Sequence, residues 1–376
     1  MKKTTSPFHR YAAYIIAIVV MLMAGCAQQA TKPTTTVAPS GGNAAGDAPS
    51  TSTYPAEITG LDSPTSMAFT PDGRIFITER VGRVRVFRDG KLQDEPFATV
   101  EVPKILGYHE TGLLGIAIPP SYQAIPYVYV YHTYNKAGKL FNKVIRFKAD
   151  EDDQHAPEII IDDIPGARIH NGGVLVFGPN DRLFVSTGEI GDTSLAQDIK
   201  STAGKVLRLN ADGKIPSDNP FPGSPVFSYG HRNIFGMAVQ PVTNTLFITE
   251  NGPSDNDEVN RIEAGKNYGW PEVTGKTRDA RFVDPVAVYS ESIAPTQAIF
   301  YTGELFPEIR DAFVFGAYNT REVRAVKFAD PGFDTVAADD VVFRFDERVI
   351  GVAQAPDGSF YVIGEKTIKR IDKLDR

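Results

Sequence analysis

One phrase recurs along this chain and constrains its fold more than any other feature: an apolar strand, a proline-led turn, and a second apolar strand. Its clearest copy is Ser66–Glu79, which reads strand, Pro71-Asp72-Gly73 turn, strand, with a third strand in Gly82–Gly90. The cadence returns at Gly173–Gly188, Gly236–Glu250 and Gly351–Gly364. Weaker copies surround Pro119, followed by Tyr127–Thr133, and Pro307, followed by Ala312–Gly316. The turn prolines Pro71, Pro119, Pro179, Pro241, Pro307 and Pro356 fall roughly 50 to 65 residues apart, the length of one four-stranded blade with its insertions. Six copies predict an all-β chain, a six-bladed β-propeller of four-stranded antiparallel blades. A sandwich or barrel also alternates short strands, but it has no reason to repeat the whole phrase.

Composition narrows the remaining choices. With 33 glycines and 27 prolines the chain is too heavily punctuated for a helical bundle, and 42% apolar residues are ample for a core. The formal net charge of -7 argues against a nucleic-acid partner, which needs a basic face to displace counterions from phosphates. The single cysteine excludes an intramolecular disulfide and any cysteine-based zinc cluster.

The position of that cysteine is informative. Lys2, Lys3 and Arg10 precede the apolar run Tyr11–Met23, and Met23-Ala24-Gly25-Cys26 closes it with small residues. The run is short for a membrane span and reads as a secretory signal. Small residues ahead of a cysteine resemble a bacterial lipobox, so residues 1–25 are expected to leave as a signal peptide and Cys26 to carry lipid. An ordinary signal peptide with a stray cysteine, or an uncleaved anchor, is the alternative. Residues 26–53, rich in Thr, Ser, Pro, Ala and Gly, are expected to form a flexible tether with a reach of roughly 30 Å. Residues 54–376 then make the propeller, held at a membrane through the lipid and facing the periplasm or cell exterior.

A propeller gathers loops from all its blades at one end of the central channel, so the loops between strands must carry the function. Three are rich in chemistry: Arg168–Gly173, Tyr229–Gly236, and Glu250–Asn260 followed by Gly265–Pro271. Read from its residues alone, the third is a cation site, with Asp255, Asp257 and Glu258 supplying hard oxygens and Gly252 and Pro253 supplying carbonyls. A solvated acidic turn is the other reading. His170 is followed by two glycines, the pattern expected where backbone approaches a ligand closely. Arg232, between His231 and Asn233, suits a carboxylate or a developing oxyanion. His109-Glu110 lacks the second histidine of a zinc-protease motif, and no Gly-x-Ser-x-Gly elbow, P-loop or Gly-x-Gly-x-x-Gly cradle is present.

An ordered set of motifs goes further. It comprises His170-Asn171-Gly172-Gly173 with Phe177-Gly178-Pro179, Gly204–Asn210, Asp218–Phe221, Gly230–Asn233, Asn251-Gly252-Pro253 with Asp257-Glu258, and Asn267–Pro271. That order is similar to the glucose/sorbosone dehydrogenase family, soluble quinoprotein glucose dehydrogenases and aldose sugar dehydrogenases included, over roughly Tyr54 to Asp372. The resemblance implies a six-bladed propeller carrying pyrroloquinoline quinone (PQQ) and calcium, which oxidises the anomeric hydroxyl of an aldose to a lactone and passes electrons to an external acceptor. It also implies roles for individual residues. His170 corresponds to the catalytic base and Glu189 to the acid that orients it. Arg232, Asn233 and Asn251 lie where the family contacts the quinone, and Arg232 also serves the reaction. The carbonyls of Gly252 and Pro253 correspond to ligands of the catalytic calcium, with Asp257 in the same loop. Glu258 and the Tyr268 carbonyl resemble a second calcium site, and Glu110 a polar residue near the substrate.

The chain departs from this pattern late in its length. The family holds the three quinone carboxylates with one lysine and two arginines. Here Asn319 or its neighbour Arg321 takes the lysine position, Arg348 one arginine position, and Ile350 the other. Arg321 and Arg344 are candidate substitutes. A second expectation therefore stands beside the dehydrogenase: a calcium-binding propeller without quinone, acting as a surface binding module or a lactonase.

Overall fold

The computed structural model describes residues 54–107, 109–149 and 156–375. The expected signal peptide 1–25, the lipidation site Cys26 and the tether up to residue 53 lie outside them. The described residues form six antiparallel blades. Blade 1 is built on Pro64–Phe69, Ile75–Glu79, Arg83–Arg88 and Lys91–Leu92, with Ala98–Thr99 added beside the third strand. Blade 2 runs Leu113–Ala117, Tyr127–Lys136, Lys139–Lys148 and Glu158–Pro165, and blade 3 Leu175–Phe177, Arg182–Ser186, Lys205–Asn210 and Val226–Tyr229. Blade 4 comprises Ile234–Val239, Leu246–Glu250, Asp257–Ile262 and Ala287–Tyr289, and blade 5 Pro295–Phe300, Phe313–Ala317, Glu322–Phe328 and Val336–Arg344.

Blade 6 closes the ring. Its three C-terminal strands, Gly351–Gln354, Phe360–Ile363 and Ile368–Ile371, take Glu57–Ile58 from the start of the domain as their outer strand, with Ile58 opposite Ile368. The first strand of each blade contacts the first strand of the next, including blade 6 against blade 1. This is the predicted six-bladed β-propeller, and both weak copies of the phrase are true blades.

The strands are apolar on both faces because each blade is sandwiched between two others. In Arg182–Ser186, Leu183 and Val185 join the core shared with blade 2, while Phe184 joins the core shared with blade 4. That follows from the two-residue alternation of a strand. Six such cores fill the gaps between neighbouring blades. The innermost strands pack too closely for some side chains. A Cβ at Gly115 would collide with the carbonyl of Gly173 on the next blade.

One buried histidine makes the fold sensitive to acid. His132, on the second strand of blade 2, is 3% exposed, and burial aided by the charge of Lys143 pulls its pKa down to about 4. Its folded pKa lies below the unfolded value near 6.5, so the stability it contributes is complete above that value and drains away as pH falls toward 4. The loss amounts to roughly 3 kcal/mol. Urea midpoints measured from pH 7.5 to 4 should fall less steeply for His132→Gln than for the wild type. An unchanged acid slope would remove His132 from this role.

Candidate functional site

In an antiparallel four-stranded blade, the connection entering the first strand and the loop joining strands two and three lie at the same end. His170, Arg232 and Asn233 enter blades 3 and 4, and Glu110 enters blade 2. Glu189 and Asn251–Asn256 belong to the strand-two-to-three loops of blades 3 and 4. All therefore lie at one end of the ring, and hydrogen bonds join them.

His170 stands at the centre of this cluster. Its Nδ1 is 2.7 Å from Glu189 Oε1, its backbone N–H donates to Glu110 Oε2 (2.7 Å), and its carbonyl accepts from Ile190 N (3.2 Å). A carboxylate can only accept, so Nδ1 carries a proton, and it is Nε2 that can act as the acceptor when the ring holds no second one. Glu189 is 1% exposed, its N–H donates to the Arg232 carbonyl (2.8 Å), and its second oxygen has no partner among the described residues. The backbone of His170 is left-handed, at φ 56°. The two glycines after it are packed tightly against the protein itself. A Cβ on Gly172 (φ 63°) would sit 2.7 Å from the Ser186 carbonyl and 2.6 Å from Thr187 Cα, so glycine is needed to lay this loop on its own blade.

Asn233 is the joint between the loops. It is 1% exposed; its Oδ1 accepts from Gly172 N (3.2 Å), its Nδ2 donates to Glu110 Oε2 (3.2 Å), and its carbonyl accepts from Asn251 N (3.0 Å). Arg232 is half-buried. Its backbone N–H donates to Glu250 Oε1 (2.5 Å), and its guanidinium Nη1 donates to the Asn251 carbonyl (3.0 Å). Burial pulls the Arg232 pKa down, while the carboxylates of Glu189, Glu250, Glu110 and Asp257 oppose that shift.

The two motifs Gly230–Asn233 and Asn267–Pro271 run side by side. Tyr229 and Asn267 form a parallel bridge, Tyr268 N donates to the Tyr229 carbonyl (2.9 Å), and Trp270 N to the Gly230 carbonyl (2.9 Å). This register stacks His231 on Tyr268 (4.7 Å between rings) and sets Arg232 against Trp270 (5.5 Å from Cζ to the ring centroid). Neither Trp270 nor Glu250 was singled out for this role by the sequence. Each lies at the edge of a motif that was, but its partner becomes visible only once the loops are folded.

The acidic loop does not gather its three acids at one point. Asp257 and Glu258 are successive residues of one strand and leave on opposite faces, while Asp255 is exposed on the turn. Asp257 accepts from Gly252 N (2.7 Å) and Ala294 N (2.8 Å), and burial raises its pKa. Glu258 accepts from Gly275 N (2.6 Å) and Asn260 Nδ2 (2.9 Å). Burial, then the charge of Glu250 directly across the strands, pushes it up to about 7. Among the described residues no three His, Cys, Asp or Glu side chains converge as a cage for one metal ion. A cation here must lean on carbonyls of the Gly252-Pro253 turn, which lies outside the strand ladder.

The late-chain positions sit at the same end on blades 5 and 6. Arg348 is exposed and lies over the Tyr318 ring (4.7 Å), Arg321 donates to the Asp346 carbonyl (3.2 Å), and Arg344 pairs with Glu322 (2.9 Å). Asn319 Nδ2 donates to the Ser292 carbonyl (3.0 Å). Ile350 packs against the core between blades 6 and 1.

Two observations test whether these residues suit calcium and a quinone. Arg232 is one cation amid four carboxylates, a surplus of negative charge that a divalent ion would offset. Buried polar atoms without a partner among the described residues include Glu189 Oε2, Asn251 Oδ1 and Trp270 Nε1, all on residues bonded to or stacked on Arg232 or its backbone. Such atoms are costly unless a ligand or water satisfies them. The cluster thus fits a cation together with a polar ligand bearing both donors and acceptors.

Residues 61–372 match the family described as glucose/sorbosone dehydrogenase. An aldose sugar dehydrogenase of Escherichia coli is 29% identical over 339 residues, covering 84% of this chain and 90% of that one. Quinoprotein glucose dehydrogenase B of Acinetobacter calcoaceticus is 31% identical over 257 residues, covering 60% of this chain and 53% of that one. The solved PQQ-bound aldose sugar dehydrogenase of Streptomyces coelicolor superposes with a TM-score of 0.73 at 32% identity, covering 85% of this chain and 96% of that one.

Proposed function

The chain belongs to the glucose/sorbosone dehydrogenase family, and from that premise we propose that it oxidises an aldose at the anomeric carbon to the lactone and delivers the electrons to an external acceptor. The observation that carries this reading is the His170–Glu189 pair beside Arg232. When bound, PQQ supplies an acceptor for the hydride of the anomeric C–H bond, and calcium supplies the Lewis acid that polarises it. The protein's own part is proton transfer and charge placement. His170 Nε2 takes the anomeric hydroxyl proton, and Glu189 holds the ring and stabilises the imidazolium that results. Glu110, bonded to the His170 backbone and to Asn233, fixes where that ring stands. The Arg232 cation would offset negative charge on a bound acceptor, and Asn233 and Asn251 keep its loop in place. Carbonyls of Gly252 and Pro253 would hold the catalytic calcium, with Asp257 bracing their turn, and Glu258 with the Tyr268 carbonyl a second ion.

Reconstitution with PQQ and calcium, followed by dye reduction with a panel of aldoses, tests the proposal. Dye reduction that needs sugar, quinone and calcium together supports it. Its absence, with lactone hydrolysis dependent on calcium alone, would favour the second reading, a calcium-dependent lactonase or binding module. One observation supports that alternative: Ile350 is spent on the core and Arg344 on Glu322, so fewer late-chain cations remain for three carboxylates.

Both readings share a metal. Chelation should lower the melting temperature, because an ion that binds only the native state stabilises it by mass action. Asp257→Ala and Glu258→Ala should each shift the calcium titration to higher concentration. Melting curves indifferent to chelator and to added calcium would refute the cation site.

A further inference from the structure

Trp270 is the only tryptophan of the chain, and its backbone is pinned from two sides. Its N–H donates to the Gly230 carbonyl (2.9 Å), and its own carbonyl accepts from Gln197 Nε2 (2.7 Å). Gln197 in turn exchanges two amide hydrogen bonds with Asn267 (3.0 and 2.8 Å). The loop of blade 3 that carries Glu189 therefore also fixes where the Trp270 backbone stands.

The indole lies against a group that needs fixing. A guanidinium has five donors in a rigid fork, yet among the described residues the Arg232 side chain makes one hydrogen bond, to the Asn251 carbonyl. One bond on a long, flexible side chain leaves the plane of the fork undetermined. The Trp270 ring, 5.5 Å from Cζ, removes one side of its conformational freedom, and the negative face of the indole favours the cation where burial opposes it. The indole Nε1 is itself buried without a partner among the described residues, a donor left over beside the same cluster.

We propose that Trp270 is a positioning residue, whose indole face holds the Arg232 guanidinium charged and oriented beside Glu189 and Asn251 to receive an anionic group of a bound ligand. The identity of that ligand as PQQ rests on the function proposed above; the indole–guanidinium pairing does not.

The test has one arm for each. Without any ligand, fluorescence excited at the indole reports Trp270 alone, so Arg232→Ala should shift the emission maximum while His170→Ala leaves it in place. In the calcium-loaded protein, Trp270→Leu should weaken PQQ binding by about 3- to 30-fold, the range of a partly desolvated cation–π contact. Trp270→Phe, which keeps an aromatic face, should recover most of that loss. Emission indifferent to Arg232→Ala overturns the proposal, as does Trp270→Leu binding PQQ as tightly as the wild type. If the wild type binds no PQQ, the quinone reading falls and the emission arm decides Trp270 by itself. It decides likewise if the leucine variant fails to fold.

Discussion

His170→Ala should lower kcat for aldose oxidation by roughly 10²–10⁴, the usual contribution of a positioned general base, while leaving PQQ binding nearly unchanged. The separation follows from the geometry. The His170 ring meets Glu189 through Nδ1, whereas Arg232 and Asn251 are held by backbone groups and by Glu250. Removing the imidazole deletes the proton acceptor and spares the loop, because the anchor from Glu110 goes to the His170 backbone N–H. Glu189→Gln should reproduce part of the loss, since an amide can still bond the ring but cannot stabilise its cation. Steady-state kinetics at saturating cofactor, beside direct binding, would measure both quantities. A variant that loses binding and turnover in equal measure would place His170 in the ligand's grip instead of in proton transfer.

Arg232→Ala should damage both quantities. Removing a charge-assisted contact is expected to cost about 10- to 150-fold in PQQ affinity, equivalent to roughly 1.5–3 kcal/mol. A further fall in kcat at saturating cofactor should follow, because the same charge serves the ground state and the transition state. The alanine variant also leaves Glu110, Glu189, Glu250 and Asp257 without the cation they surround. Calcium should therefore bind that variant no more weakly than the wild type, even as PQQ binding falls. Arg232→Lys should restore charge but not the planar fork, and so recover only part of the affinity. Unaltered PQQ affinity in the alanine variant would remove Arg232 from the binding site.

The propeller was legible because its information is local. Each blade repeats the same strand, turn and strand, so Pro119 and Pro307 could be read as blade turns even where the copies are weak. Strand limits were nearly right for the same reason: Tyr127–Thr133 became Tyr127–Lys136, and Ala312–Gly316 became Phe313–Ala317. The site was legible as a set of loops but not as an arrangement. Nothing near Asp257 and Glu258 in the sequence says that a strand begins there and sends them to opposite faces. Nothing near Gly172 says that its tight neighbours are Ser186 and Thr187 of its own blade. The pairing of Arg232 with Trp270 joins residues 38 positions apart through a parallel backbone register, which no periodicity within either motif announces. Ile350 shows the limit from the other side. Its place in the family pattern suggested a lost cation, and its packing between blades 6 and 1 shows what the side chain does instead.

The claim on which the rest depends is that this end of the propeller holds PQQ. Isothermal titration of the purified wild-type protein with PQQ in excess calcium tests it most directly, with Arg232→Ala as the comparison. The prediction is one saturable site per chain, weakened about 10- to 150-fold by the substitution and abolished by chelation. Heats no different from dilution at every PQQ concentration, in a protein that still takes up calcium, would contradict it.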